Sequence, residues 1–230
     1  MSTSPRFVVI SAAFVTCLIT ANVIAVKVVS IGPFVLPAAI FVFPLSYIFG
    51  DILTEVYGYH QARRVIWLGF ACNLVFVFFA WIGEILPPLP EWPHQAAYES
   101  ILGPAPWILV ASFLGYLAGE FANSFVLARM KIMTRGRWLW TRTVTSTVIG
   151  QGLDTTIFIL ILTLAGTPGF SVMMILHHWP AKILIEAVAT PATYAAVGYL
   201  KRREATDFYD YGTDFNPFLL RDRPGKAVRQ

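Results

Sequence analysis

Apolar residues run along this chain in long continuous blocks, neither alternating nor confined to one helical face. The blocks cover Phe7 to Val29, Val35 to Tyr57, Val65 to Leu86, Trp107 to Leu127, Val144 to Ala165 and Ala181 to Leu200, with Pro, Gly or charged clusters between them. Each approaches the roughly 20 residues that a helix needs to cross the hydrocarbon core of a bilayer. A membrane β-barrel would show strands of about ten residues with alternating polarity instead. The expected fold class is therefore all-α, a polytopic membrane protein with six transmembrane helices. The first block exceeds the usual apolar core of a signal peptide and lacks a clear small-residue cleavage site, so it reads as a span. Residues 1–200 are expected to form the transmembrane domain and 201–230 a polar C-terminal tail.

Composition agrees with a chain made for lipid. It is 57% hydrophobic and 13% charged over 230 residues, against about 45–50% and 25% in soluble domains. The pI of 9.2 would suit a nucleic-acid binder, but the positions of the basic residues give another reading. Arg6, Arg63, Arg64, Arg129, Lys131, Arg135, Arg137, Arg142, Lys201, Arg202, Arg203 and the four basic residues beyond them make up fifteen of the seventeen Lys and Arg. All flank the same ends of the blocks, whereas the alternate loops Ser30 to Phe34, Pro87 to Pro106 and Gly166 to Pro180 hold none. Positive residues are retained on the cytoplasmic side, so both termini are expected there, and no nucleic-acid partner is implied. Trp81, Trp107 and Trp179 near the outer ends, with Trp67, Trp138 and Trp140 near the inner ends, suit interfacial belts. The Pro-rich loop from Pro87 to Pro106 is expected to hold a short interfacial helix or a lid.

Metal and redox chemistry find little support. Cys17 and Cys72 lie in apolar helix interiors with no CxxC spacing. His177 and His178, expected in an interfacial loop, are adjacent and would not face a shared metal. No cofactor is expected.

Ionisable and amide residues inside the blocks carry more meaning. A charge near a bilayer centre costs at least about 2.5–3.5 kcal/mol, so such residues face the protein interior and mark a pathway. Asp51, Glu55, Glu84, Glu120, Asp154 and Glu186, with Lys27 and Lys182, fall within or at the edges of the spans. Helical spacing places several on common faces. Tyr47, Asp51 and Glu55 line one face of the second span, and Tyr116, Glu120, Asn123 and Ser124 line one of the fourth. Ser146, Gly150 and Asp154, beside Gln151, form a face of the fifth, and Lys182, Glu186 and Thr190 one of the sixth. Asn22 adds an amide in the first. Glu55, Glu84, Lys27 and Lys182 lie close enough to an interface to snorkel. Pro37 and Pro44 are expected to interrupt the second span, Pro191 the sixth, and Gly150 with Gly152 to loosen the fifth.

Asn22 through Lys27, FPLSYIFGDILTEVYG from Phe43 to Gly58, GEFANS from Gly119 to Ser124, STVIGQGLDTTIF from Ser146 to Phe158 and YDYGTDFNPF from Tyr209 to Phe218 together resemble one family. It is the queuosine precursor transporters, within the vitamin uptake transporters. The resemblance implies import of 7-cyano-7-deazaguanine or 7-aminomethyl-7-deazaguanine across the cytoplasmic membrane, without a dedicated ATPase. The implied partners are a 7-deazaguanine base and the lipid bilayer, with a homo-oligomer left open. On this reading Asp154 or Glu120 accepts from the ring N–H and exocyclic amine, and Asn22, Asn123 or Gln151 donates to the carbonyl. Tyr47 or Tyr116 stacks on the ring. Asp51 or Glu186 carries a coupling proton or meets the cationic aminomethyl group, and Lys27, Glu55 and Lys182 are candidates for coupling or gating.

Two other readings compete. Ala21 and Ala25 supply a small-xxx-small spacing of the kind that docks a substrate-binding subunit on an energy-coupling module. Asp51 and Asp154 would be the dyad of an intramembrane aspartyl protease, but GQGLD is not GxGD, and the absence of HExxH excludes a zinc metalloprotease.

Overall fold

The computed structural model describes residues 4–25, 27–32, 34–103, 106–166, 171–204, 207–219 and 227–228. Among these lie seven α-helices: α1 (Pro5–Ile24), α2 (Phe43–Tyr57), α3 (Tyr59–Ile85), α4 (Gln95–Leu102), α5 (Pro106–Met133), α6 (Leu139–Leu164) and α7 (Ile175–Glu204). All but α4 supply six segments long and apolar enough to cross a membrane, that of α2 counted with the preceding 3-10 turn Ala38–Phe41, that of α5 from Val110 and that of α7 with the turn Val172–Met174. The protein is a multi-pass membrane protein, and its surface has the inverted polarity this implies. Val75, Phe78, Phe79, Leu184 and Val188 are exposed, while Asp51, Glu120, Gln151 and Glu186 are buried.

Local chemistry sets the element ends. Ser4 caps α1 by accepting from the Phe7 backbone N–H, with Pro5 at the first turn. The expectation that the second span begins at Val35 and is interrupted by Pro37 and Pro44 is corrected. Val28–Ile31 (β1) and Phe34–Pro37 (β2) pair as an antiparallel hairpin, Val28 opposite Pro37 and Ile31 opposite Phe34. The β-branched Val28, Val29, Ile31 and Val35 flank Gly32, whose φ of +59° makes the turn. Pro44 then sits in the first turn of α2, where its missing N–H costs nothing, so it starts the helix.

The fifth span is likewise corrected: α6 is continuous through Gly150 and Gly152. The glycines serve packing. A Cβ on Gly150 would lie 2.8 Å from the Gly119 carbonyl oxygen, and one on Gly115 would lie 2.8 Å from that of Asp154. Gly115 and Gly119 thus form a GxxxG stripe on α5 that lets its backbone approach α6 closely. α7 contains both Pro180 and Pro191 and begins before the expected sixth span, so His177 and His178 are helical, and His178 is buried. The loop after α3 holds the exposed helix α4, tied back where Gln95 Nε2 donates to the Glu84 carbonyl oxygen.

α2 is the most enclosed span and packs against α1, α3, α5 and α7. After α7 the chain turns back along the bundle end. Asp207–Phe208 (β3) pairs with Ala227–Val228 (β4), and residues 209–219 follow the α2–α3 corner at Gly58.

Candidate functional site

Four helices bring polar side chains to one buried layer. Tyr47 and Asp51 come from α2, Tyr116, Glu120 and Asn123 from α5, Gln151 and Asp154 from α6 and Glu186 from α7. Each is 0–3% exposed. Spacings of three and four residues keep each set on one face of its helix. Glycines allow the sets to meet: a Cβ on Gly119 would lie 2.6 Å from the Tyr47 hydroxyl and 2.7 Å from Asp154 Cβ, and one on Gly50 would strike Glu120 Oε1. Asp51, Asp154 and Glu186 all lie within Coulombic reach of Glu120.

Some of these groups are satisfied within the protein. Asn123 Nδ2 donates to Asp51 Oδ1 at 2.7 Å. Lys182 Nζ donates to Asp154 Oδ2 at 2.6 Å and to Thr155 Oγ1 at 3.2 Å, and stands 4.9 Å from the centre of the Phe43 ring. Others have no partner among the described residues: both carboxylate oxygens of Glu120 and of Glu186, both amide atoms of Gln151, and the hydroxyls of Tyr47 and Tyr116. A buried polar group left without a hydrogen bond costs about 1–3 kcal/mol, and folded proteins keep few of them. Gathered in one layer, they form a surface that accepts hydrogen bonds through carboxylates, donates and accepts through an amide, and offers aromatic faces. That suits a flat polar solute with adjacent N–H donors.

Four candidates from the sequence lie apart from this layer. Asn22 Nδ2 donates to Asn73 Oδ1 at 2.9 Å and its Oδ1 accepts from Ser112 Oγ at 2.8 Å, a clamp joining α1, α3 and α5. Lys27 is exposed in the bend after α1. Glu84 stands at the far end of α3 beside Gly103.

Glu55, one turn beyond Asp51, is held in an ionic network. Arg142 meets it through both terminal guanidinium nitrogens at 2.8 and 3.2 Å, and Lys201 Nζ lies 2.6 Å from Oε1. Lys131 Nζ lies 3.5 Å from the same oxygen and donates to the Glu55 carbonyl and to Asp207 Oδ1, both at 2.7 Å. Lys131 and Arg142 fit the loop-charge pattern of the cytoplasmic side, yet each is only 1% exposed. The spacing held a signal, because Arg142 extends the Ser146, Gly150, Asp154 face by one turn and Lys131 lies two turns beyond Ser124.

The family described as "Putative vitamin uptake transporter" matches residues 37–196. The "Probable queuosine precursor transporter" of Bacillus subtilis (strain 168) is 29% identical over 148 residues, covering 64% of this chain and 65% of that protein. The alignment spans slightly less than two thirds of that relative's length. No solved structure matches the chain. The family match takes in α2, α3, α5, α6 and most of α7, and so all four helices that carry the polar layer. The chain belongs to the vitamin uptake transporter family.

Proposed function

We propose that this protein imports a queuosine precursor, 7-cyano-7-deazaguanine or its aminomethyl relative, across the cytoplasmic membrane to supply tRNA modification. The observation that carries this reading is the Glu120 carboxylate, fully buried with both oxygens unpartnered. A guanine-like edge offers a ring N–H and an exocyclic amine side by side, and one carboxylate accepts both. Asp154 is the weaker candidate for that role because Lys182 already holds Oδ2. The Gln151 amide donates to the ring carbonyl, and Tyr47 or Tyr116 packs on the ring face. Asp51 or Glu186 carries the coupling proton or meets the aminomethyl cation, and uptake insensitive to a pH gradient would rule out the proton.

The end of the bundle bearing Arg63, Lys131, Arg142 and Lys201 faces the cytoplasm on this reading, by the positive-inside rule. The docking-subunit alternative loses weight because Ala21 is fully buried within the protein's own bundle. A protease dyad loses weight because Asp51 and Asp154 are engaged separately, by Asn123 and Lys182.

The test is uptake of labelled 7-cyano-7-deazaguanine in cells blocked in its synthesis, with and without the protein. Protein-dependent uptake abolished by Glu120→Gln supports the reading. Protein-dependent uptake that Glu120→Gln leaves unchanged removes Glu120 from the site, and no protein-dependent uptake overturns the substrate.

A further inference from the structure

The ionic network around Glu55 joins the four helices that build the polar layer, one turn further along α2. Glu55 comes from α2, Lys131 from α5, Arg142 from α6 and Lys201 from α7, and Asp207 of the chain beyond α7 completes it. Lys131 and Lys201 reach Asp207 Oδ1 at 2.7 and 2.8 Å. Glu55, Lys131 and Arg142 are each 1% exposed.

The segment 207–219 then ties the same end shut at successive points. The Lys131 ammonium donates to the Phe208 carbonyl and lies 4.7 Å from the centre of the Tyr209 ring. The Phe208 ring lies on Gly58, at the α2–α3 corner, where φ is +83° and any side chain would strike the ring. Both Asp210 carboxylate oxygens lie 3.1 Å from the Tyr59 N–H at the start of α3, an anionic cap on an open helix terminus. Arg63 donates to the Asp214 and Asn216 carbonyls, and Trp67 Nε1 to that of Pro217 at 2.8 Å.

We propose that the Glu55–Arg142–Lys201–Lys131–Asp207 network and the strap from Asp207 to Leu219 form a gate that holds this end of the bundle closed over the polar layer, and that it separates when a solute passes. The argument is topological and electrostatic. A path from the layer to this end between α2, α5, α6 and α7 has to part the helices where the network joins them. Three cations and two carboxylates held in one place also have discrete paired and unpaired arrangements, as a two-state element requires. The opposite end of the layer has a lighter tie, the Lys182–Asp154 pair with Trp179 packed on Gly152. From the proposed function the gate takes only that a solute reaches the layer.

Thiol labelling tests it without any solute, so the gate and the substrate assignment fail separately. With Cys17 and Cys72 replaced by Ser, a Ser124→Cys reporter is placed at a fully buried position hydrogen-bonded to Thr54, between the levels of Asp51 and Glu55. A charged, membrane-impermeant methanethiosulfonate is applied to each face of oriented vesicles, with and without Glu55→Gln or the milder Asp207→Asn. The expected result is slow labelling in the parent and a rise of about tenfold or more in both variants, from the strap face alone, as the open population grows. Unchanged labelling overturns the gate. An equal rise from both faces also overturns it, because the network would then be a clamp whose loss loosens the whole bundle.

Discussion

Replacing Arg142 with Met keeps an apolar stem of similar length and removes the guanidinium that meets Glu55. Both side chains are 1% exposed, so the carboxylate left behind is not recovered by water. Removing one partner of a buried pair costs about 3–5 kcal/mol. Lys201 remains 2.6 Å from Oε1 and Lys131 3.5 Å away, which puts the loss at the lower end, about 3 kcal/mol. On the scaling of domains of this size, that lowers the melting temperature by about 6–12 °C. Arg6→Met is the control, since its partner Glu204 meets a guanidinium with 42% of its side chain exposed, and a solvated pair contributes little. Melting of purified protein in detergent, followed by intrinsic tryptophan fluorescence, compares the two. Equal shifts, or an Arg142→Met protein that melts with the wild type, would refute the argument from burial.

Gly119→Leu should separate α5 from α6, because even a Cβ there would lie 2.6 Å from the Tyr47 hydroxyl and 2.7 Å from the Gly150 carbonyl; a cost above about 1–3 kcal/mol is expected, and an unchanged melt would count against the close approach. Asn22→Ala should lower the melting temperature by breaking the Asn73 and Ser112 bonds while uptake persists, and loss of uptake in a well-folded variant would return Asn22 to the site. The Asp207 carboxyl responds to pH in a defined direction. Partial burial works to raise its pKa, but the hydrogen bonds and charges of Lys131 and Lys201 hold it below its ordinary 3.8. Its folded-state pKa being depressed, its contribution is present above the ordinary value and is lost as pH falls below it. The stability difference between wild type and Asp207→Asn should therefore be constant from about pH 5 to 8 and shrink below about pH 4; a difference that vanished near pH 7 would contradict the pairing.

The features that depend on local pattern were legible in the sequence. Continuous apolar blocks gave six spans, and helical spacing gave the faces on which Tyr47 and Asp51, Tyr116 and Glu120, and Lys182 and Glu186 stand. What was hidden depends on contacts between distant segments or on residues with two readings. Val28 and Val29 read as the end of one span, Ser30 to Phe34 as a plain loop and Val35 to Pro37 as the start of the next, until Gly32 and the β-branched residues around it are allowed a hairpin turn. Gly150 reads as a point of weakness, and only the backbone of α5 across from it shows that it exists to be small. Lys131 and Arg142 satisfy the loop-charge rule, which accounts for their charge without calling for burial against Glu55. The order of the strap is set by carbonyl groups that accept from Arg63 and Trp67, which no side-chain pattern reveals.

The central claim, that the polar layer binds a guanine-like solute through Glu120, is tested most directly by uptake of labelled 7-cyano-7-deazaguanine in cells blocked in its synthesis, comparing wild type, Glu120→Gln and Asn22→Ala at matched membrane abundance. The account predicts that Glu120→Gln loses about tenfold or more of uptake, as expected for the loss of charge-assisted hydrogen bonds, while Asn22→Ala transports. Wild-type uptake by Glu120→Gln would contradict it.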